Sequence, residues 1–169
     1  MADWIDKKNA IVADTVYDNG VLVARDVAFT LPGWNFETAD VQAMGTMSVP
    51  IVGRLEDAEL KITKIGIDMG LGRMSAAEKH NFEFRWVQQN TKADGTTGPE
   101  GCKAFVRTMP KGVGEQTIEP GSSVETEMTY GVTRQQIFCG GKEHMLIDRL
   151  ARILRFNGKD YMAAVNKLL

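Results

Sequence analysis

The chain has 169 residues, 43% hydrophobic and 25% charged, a composition that supports one domain with a substantial core and excludes two comfortable ones. Its 20 Lys and Arg against 22 Asp and Glu leave a net charge of -2, so no general positive field draws it onto nucleic acid or an acidic membrane. No apolar run approaches the roughly 18 residues of a membrane span, and the start lacks the pattern of a secretory signal, so the expectation is a protein made and folded in cytoplasm.

The first signal along the chain is NAIVADTVYDNGVLVARDVAF, two β-rich runs around Asp18-Asn19-Gly20. Asn19 and Gly20 accept positive φ, which a primed turn demands, so a first hairpin is expected. Pro32-Gly33 punctuates the chain before NFETADVQAMGTMSVPIVGRL, where alternation fades and Pro50 bars a central strand. Gln42 to Arg54 therefore reads as an excursion from the sheet. In AELKITKIGI alternation returns, with Ala58, Leu60 and Ile62 on one face and Glu59, Lys61 and Thr63 on the other, the pattern of a half-buried strand. Ser75 and Glu78 have the spacing of a capping box and predict a short helix from Met74 to His80.

Asn81 to Gln89 sets Phe82, Phe84 and Trp86 against Glu83 and Arg85, an aromatic face read as core. Asn90 to Gly101 reads as a polar, Gly-rich connection, Cys102 to Thr108 as a returning strand, and Pro110 to Gly121 as turn-rich. SSVETEMTYGVTRQQIF is a long alternating run in which Gly131 marks a bulge or bend. In EHMLIDRLARILRF, Leu146, Leu150, Ile153 and Leu154 fit a helical stripe better than the broken strand alternation. The last segment predicts a helix from Lys159 to Lys167, with Asn157 as cap, Asp160 at the positive end, and Tyr161, Val165, Leu168 and Leu169 on one face.

No constellation of catalytic groups stands out. His80 and His144 are the sole histidines, neither has a second ligand at metal spacing, and Cys102 and Cys139 form no Cys-x-x-Cys. No metal and no cofactor is expected, and the thiols are read as reduced packing groups. GLGRMS and GTTGPEG match neither a phosphate loop nor a dinucleotide fingerprint. What remains is a β-rich chain whose sheet edges must be blunted, closed or paired with another chain. Pro32 and Pro50 are edge breakers, while Val21, Val23, Val27, Phe29 and Ile62 supply strands able to continue a neighbour's sheet. An assembling protein fits this best. A monomeric ligand-binding β-barrel, with Phe82, Phe84 and Trp86 around a cavity, is the competing reading, and an enzyme comes third.

The order of NGVLVARDVAFTLP, VQAMGTMSVPIVGRLEDAELKITKIGI and EMTYGVTRQQIFCGGKEHMLIDRLARILRFNGKDYM resembles the major tail tube protein of contractile-tailed bacteriophages and phage-like bacteriocins. The resemblance covers Val16 to Leu169. Its most specific parts are Leu31-Pro32, the excursion around Met44-Gly45, and the ending at Asn157, Gly158 and Asp160. The tube protein of type VI secretion systems is similar to that family and is the nearer alternative. The resemblance implies a mainly β (α+β) fold: a tail-tube-type antiparallel β-barrel or sandwich with a short packed helix and a C-terminal helix. It implies one domain over 1–169, with an N-terminal arm at 1–9 and an extended inter-ring loop at 42–54. It also implies that His144 to Phe156 is a strand, against the local helical reading, and that Asn157-Gly158 ends the last strand rather than turning it back.

The implied function is structural and non-enzymatic. Hexameric rings stack into the inner tail tube of a contractile tail or phage-like injection particle and form the conduit for genome delivery. Expected partners are further copies of the chain, the tail sheath, the tape measure protein, and baseplate and tail terminator proteins, with DNA passing without adhesion and no membrane involved. The expected location is the virion tail, assembled in the host bacterial cytoplasm. Met44, Gly45, Met47, Val49, Pro50, Ile51 and Arg54 are expected between rings. Glu125 and Glu127, on the polar face of SSVETEMTY, are expected to face the channel. Asn157, Gly158, Asp160, Tyr161, Val165 and Leu168 are expected to pack the C-terminus onto the barrel edge.

Overall fold

In a computed structural model, which describes residues 6–169, strands β1 (Lys7–Asp18) and β2 (Val21–Arg25) turn on Asn19 and Gly20. Both turn residues have positive φ, 49° and 83°, the geometry whose twist matches paired strands. β3 (Ala28–Thr30) follows, then β4 (Phe36–Gln42), β5 (Thr46–Leu55) and β6 (Glu59–Ile65). A short helix, α1 (Met69–Met74), leads to β7 (His80–Thr91), β8 (Thr97–Val113) and β9 (Glu125–Cys139). The chain ends with β10 (Lys142–Asp148), β11 (Ile153–Phe156), β12 (Lys159–Asp160) and α2 (Ala163–Asn166). The expected N-terminal arm 1–9 lies partly outside the described residues, and its last part, from Lys7, belongs to β1.

The main sheet is antiparallel in the order β12-β11-β10-β9-β8-β7-β1-β2, with β6 on the first half of β9 and β3 on β6. β9 changes partner along its length: Glu125–Gly131 pair with β6 and Arg134–Cys139 with β10. Between these halves the β8 register skips Thr133, passing from Arg107↔Arg134 to Thr108↔Val132. This bulge, two residues beyond the expected Gly131, bends the strand and exchanges its faces. Thr126, Met128, Tyr130 and Val132 are buried before it, and Gln135 after it. The curled sheet encloses Val16, Leu60, Ile62, Phe82, Phe84 and Val106, with Leu71 and Met74 of α1 in the same cluster. A smaller cluster of Ile147, Leu154 and Met162 is covered by Phe36 and Leu55, and Trp34 touches both clusters.

Several expectations change. The short helix precedes Ser75 instead of following it. Asp68 caps it, its Oδ1 accepting from the Leu71 N–H at 2.8 Å, while Ser75 Oγ donates to the Leu71 carbonyl at 2.7 Å. Gly70 permits the packing, because a Cβ there would lie 2.3 Å from the Val23 carbonyl oxygen. The expected connection 90–101 is mostly strand, with β7 and β8 paired out to Thr91↔Thr97. The excursion 42–54 is also strand: β4 and β5 form a separate two-stranded sheet.

The C-terminal region departs furthest. Residues 144–156 are neither a helix nor one strand. β10 and β11 pair as a hairpin around a turn where Asp148 Oδ1 accepts from the Leu150 and Ala151 N–H groups at 3.1 and 3.0 Å. Leu150, a member of the helical stripe, is 83% exposed. Asn157 and Gly158, at φ 48° and 83°, turn β11 back into β12, so the resemblance-based ending without a turn is overturned. α2 is a single turn, not the helix expected over 159–167.

Candidate assembly surfaces

Among the described residues, the β4–β5 hairpin is anchored only at its base. Phe36 pairs with Leu55 and both cover the smaller core cluster. Arg149 donates to the Leu55 and Glu56 carbonyls at 2.9 and 3.2 Å, and Trp34 Nε1 donates to Gln135 Oε1 at 2.6 Å. From Thr38↔Pro50 outward the two strands pair, among the described residues, only with each other. The tip turns through Met44 and Gly45, both at positive φ, and Met44 is fully exposed, with Val41, Met47 and Val52 about half exposed. Val49 and Ile51 are half-buried, Pro50 is exposed on an edge without an N–H, and Arg54 pairs with Glu37 at 2.6 Å. The structure thus gathers Met44, Gly45, Met47, Val49, Pro50, Ile51 and Arg54 on one projecting hairpin.

Glu125 and Glu127 lie on the solvent face of β9, opposite buried Thr126, Met128 and Tyr130. Their register partners on β6 are Ile65 and Thr63.

The C-terminal group is divided. Asp160 Oδ1 accepts from the Leu154 and Met162 N–H groups at 3.3 and 2.9 Å, tying the end of the chain to β11. Tyr161, Val165 and Leu168, however, are exposed in the chain, and Met162 is the buried residue, lying against Gly53. Sequence reasoning chose the wrong face because it extended a helix through residues that form β12 and a turn.

A buried polar pair also escaped the sequence reading. His80 and Asp18 are 0% and 1% exposed, with His80 Nδ1 2.7 Å from Asp18 Oδ2 and His80 Nε2 2.8 Å from the Ala76 carbonyl oxygen. A carbonyl only accepts, so Nε2 carries a hydrogen and a single proton is shared between Nδ1 and Oδ2; either location leaves the pair with zero net charge. Burial raises the Asp18 carboxyl above its ordinary value, against the lowering effect of the His80 hydrogen bond. Nearby, the Tyr130 hydroxyl donates to the Met74 carbonyl at 2.7 Å, and burial pushes the phenol well above its usual range. The pair has no access to a substrate and acts as a packed hydrogen-bonded unit. The signal for it was an Asp closing an apolar strand just before Asn-Gly.

Phe82 and Phe84 fill the core with Tyr130, and Trp86 is half-buried against that core beside Phe29, so the three rings do not surround a cavity. Among the described residues no helix is long and apolar enough to cross a membrane, and no group of three metal-ligating side chains occurs.

These features define a mainly antiparallel β protein with a filled core, a sealed polar pair and an appended hairpin whose apolar groups face outward. The chain belongs to the phage tail tube protein FII family, whose pattern matches residues 8–169, and its role is that of a structural tail tube protein. The fold is similar to that of a PVC sheath/tube terminator of an extracellular contractile injection system in the extended state. That likeness has a TM-score of 0.50 at 11% identity and covers 74% of this chain and 92% of that one. Two further similar structures are a PVC sheath-tube complex (TM-score 0.49, 12% identity, 74% and 87% covered) and an anti-feeding prophage tube terminating cap (TM-score 0.49, 14% identity, 74% and 87% covered). No curated relative matches the chain.

Proposed function

We propose that this chain polymerises as stacked hexameric rings into the inner tube of a contractile tail or phage-like injection particle, and that the tube is the conduit for genome delivery. The observation that carries the stacking is the β4–β5 hairpin, which shows apolar Val41, Met44, Met47 and Val52 to solvent and, among the described residues, is held only at its base. A lone two-stranded hairpin is marginal in water, so this one gains its stability from a neighbour. Met44, Gly45, Met47, Val49, Pro50, Ile51 and Arg54 then form the contact between rings, and Glu125 and Glu127 face the channel. Tyr161, Val165 and Leu168 are left for a contact outside the subunit. The tail sheath surrounds the tube, the tape measure protein occupies it, and baseplate and terminator proteins close its ends. Assembly takes place in the host bacterial cytoplasm, and the chain catalyses no reaction.

Purified protein is expected to form rings or filaments in negative-stain micrographs. Replacing Asp40–Ser48 by Asn-Gly between the paired residues Ala39 and Val49 shortens the hairpin with its register kept. That variant is expected to melt like the full chain yet not to elongate. Normal tubes from it would sink the assignment of the hairpin.

A further inference from the structure

Two phenylalanines lie outside both core clusters. Phe105 of β8 and Phe138 of β9 are half-buried on the solvent face of the main sheet, with ring centroids 6.0 Å apart and planes at 87°. Lys103 and Arg107 flank Phe105 on the same face of β8, about 13 Å apart at roughly 3.3 Å per residue. Both are exposed, and among the described residues neither has an acidic partner. The surrounding charges are already matched: Arg85 with Glu83 at 2.5 Å, Arg134 with Asp148 at 3.5 Å, and Arg155 with Glu143 at 2.6 Å. The groove over the two rings is bounded by Asn19 and Asn81 on one side and Arg134 on the other. Glu83, the register partner of Phe105, also lines it and is neutralised by Arg85, which leaves Arg107 at the groove and Lys103 just beyond it on the same face of β8 as uncompensated positive charge on the two sides of Phe105.

The complement is on the same chain. Between Lys111 and Arg134 there is no basic residue and there are four glutamates. Residues 114–119 leave β8 without regular structure, held by the Gly114 N–H on the Glu127 carbonyl at 2.7 Å and by Gln116 Nε2 on Thr126 Oγ1 at 3.1 Å. Gly114 is required there, because a Cβ would stand 2.7 Å from that carbonyl oxygen. The anchored segment presents Ile118, 77% exposed, between exposed Glu115 and Glu119, which have no basic partner among the described residues. An isoleucine held out in water on a tethered segment, bracketed by carboxylates, mirrors a phenylalanine bracketed by Lys and Arg.

We propose that this segment docks on the neighbouring copy, with Ile118 on Phe105 and Phe138 and with Glu115 and Glu119 against Lys103 and Arg107. The segment cannot reach its own groove: it follows the end of β8, roughly 25 Å along the strand from Phe105, and is tied to β9 on the way. The contact is heterologous, each copy giving one surface and receiving the other, so it joins successive copies into a closed ring or an open filament. Desolvated charge at its edges fixes orientation and rejects like-charged registers.

This contact rests on the tube reading, and reciprocal charge reversal separates the two. K103E/R107E and E115K/E119K are each expected to keep the wild-type melting curve and to raise the concentration needed for polymerisation about tenfold or more. Mixing the two reversed chains is expected to restore polymer, because each segment then meets an opposite groove, and so is combining all four changes in one chain. If the unaltered chain forms no polymer, the tube reading and this contact fall together. If it polymerises and the reversed chains do so equally well, or neither the mixture nor the combined variant recovers, this contact alone is wrong. Intact polymer with lost sheath binding assigns the groove to the sheath and likewise overturns it.

Discussion

His80 stands where a single substitution separates two explanations of a buried histidine. If it served only to fill volume, His80→Ala would cost a cavity. In fact it also supplies the partner of Asp18, whose other oxygen, Oδ1, already lacks a hydrogen bond among the described residues. Removing the ring strands a buried carboxyl, and breaking such a pair costs about 3–5 kcal/mol. Asp18→Asn is expected to cost much less, since its amide can donate to Nδ1 while Nε2 keeps its hydrogen. The pH dependence has a definite sign. The Asp18 carboxyl is raised in the fold from its ordinary 3.8, so its contribution to stability is fully present below that value and is lost as pH rises through the folded value. Denaturant titrations are therefore expected to show the wild type losing stability relative to Asp18→Asn as pH rises from about 4. A difference that moves in the wild type's favour over that range would overturn the prediction. The pairing was not legible in the sequence because β1 and β7 bring its members together across the sheet, whereas the burial of Phe82 and Phe84 could be read directly from alternation.

At the scale of elements, the sequence was informative wherever a strand has one dry face and one wet face. β6 places Leu60 and Ile62 inward and Glu59 and Lys61 outward as alternation requires. The signal fails where both faces are wet, in the β4–β5 hairpin and in the part of the β7–β8 ribbon beyond the core, so strands there read as loops. It fails differently at the C-terminus, where apolar residues of two short hairpins fall at helical spacing by coincidence of turn length. The turn dipeptide Asn157-Gly158 was the better local guide, and the resemblance was the worse one. Met162→Ala is accordingly expected to cost about 2–5 kcal/mol, the range for a buried methionine. Val165→Ala and Leu168→Ala in the unassembled chain are expected to stay within about 0.5 kcal/mol of wild type. Equal losses at all three positions would restore the packed-helix picture and show that the exposed end folds down in solution.

For the whole molecule, the proposed tube requires a surface that holds its neighbours firmly and its cargo weakly. DNA sliding through a tube passes every subunit, and each phosphate neutralised by a Lys or Arg adds salt-dependent attraction. Repeated around and along the wall, even a weak attraction per subunit becomes prohibitive, so a wall that lets DNA move must be neutral or acidic. The first half of β9 meets that requirement: Glu125 and Glu127 are exposed, and from Glu125 to Thr133 the strand contains no Lys or Arg. The inward residues of the same strand are packed in the core, so both carboxylates can be exchanged without disturbing the fold. E125K/E127K is expected to melt and polymerise like the wild type while particles carrying it eject DNA more slowly, with the delay shrinking as salt rises. Salt is the discriminating variable, since a delay caused by a distorted tube has no reason to fade with screening. Unchanged ejection at low salt would place these carboxylates outside the channel.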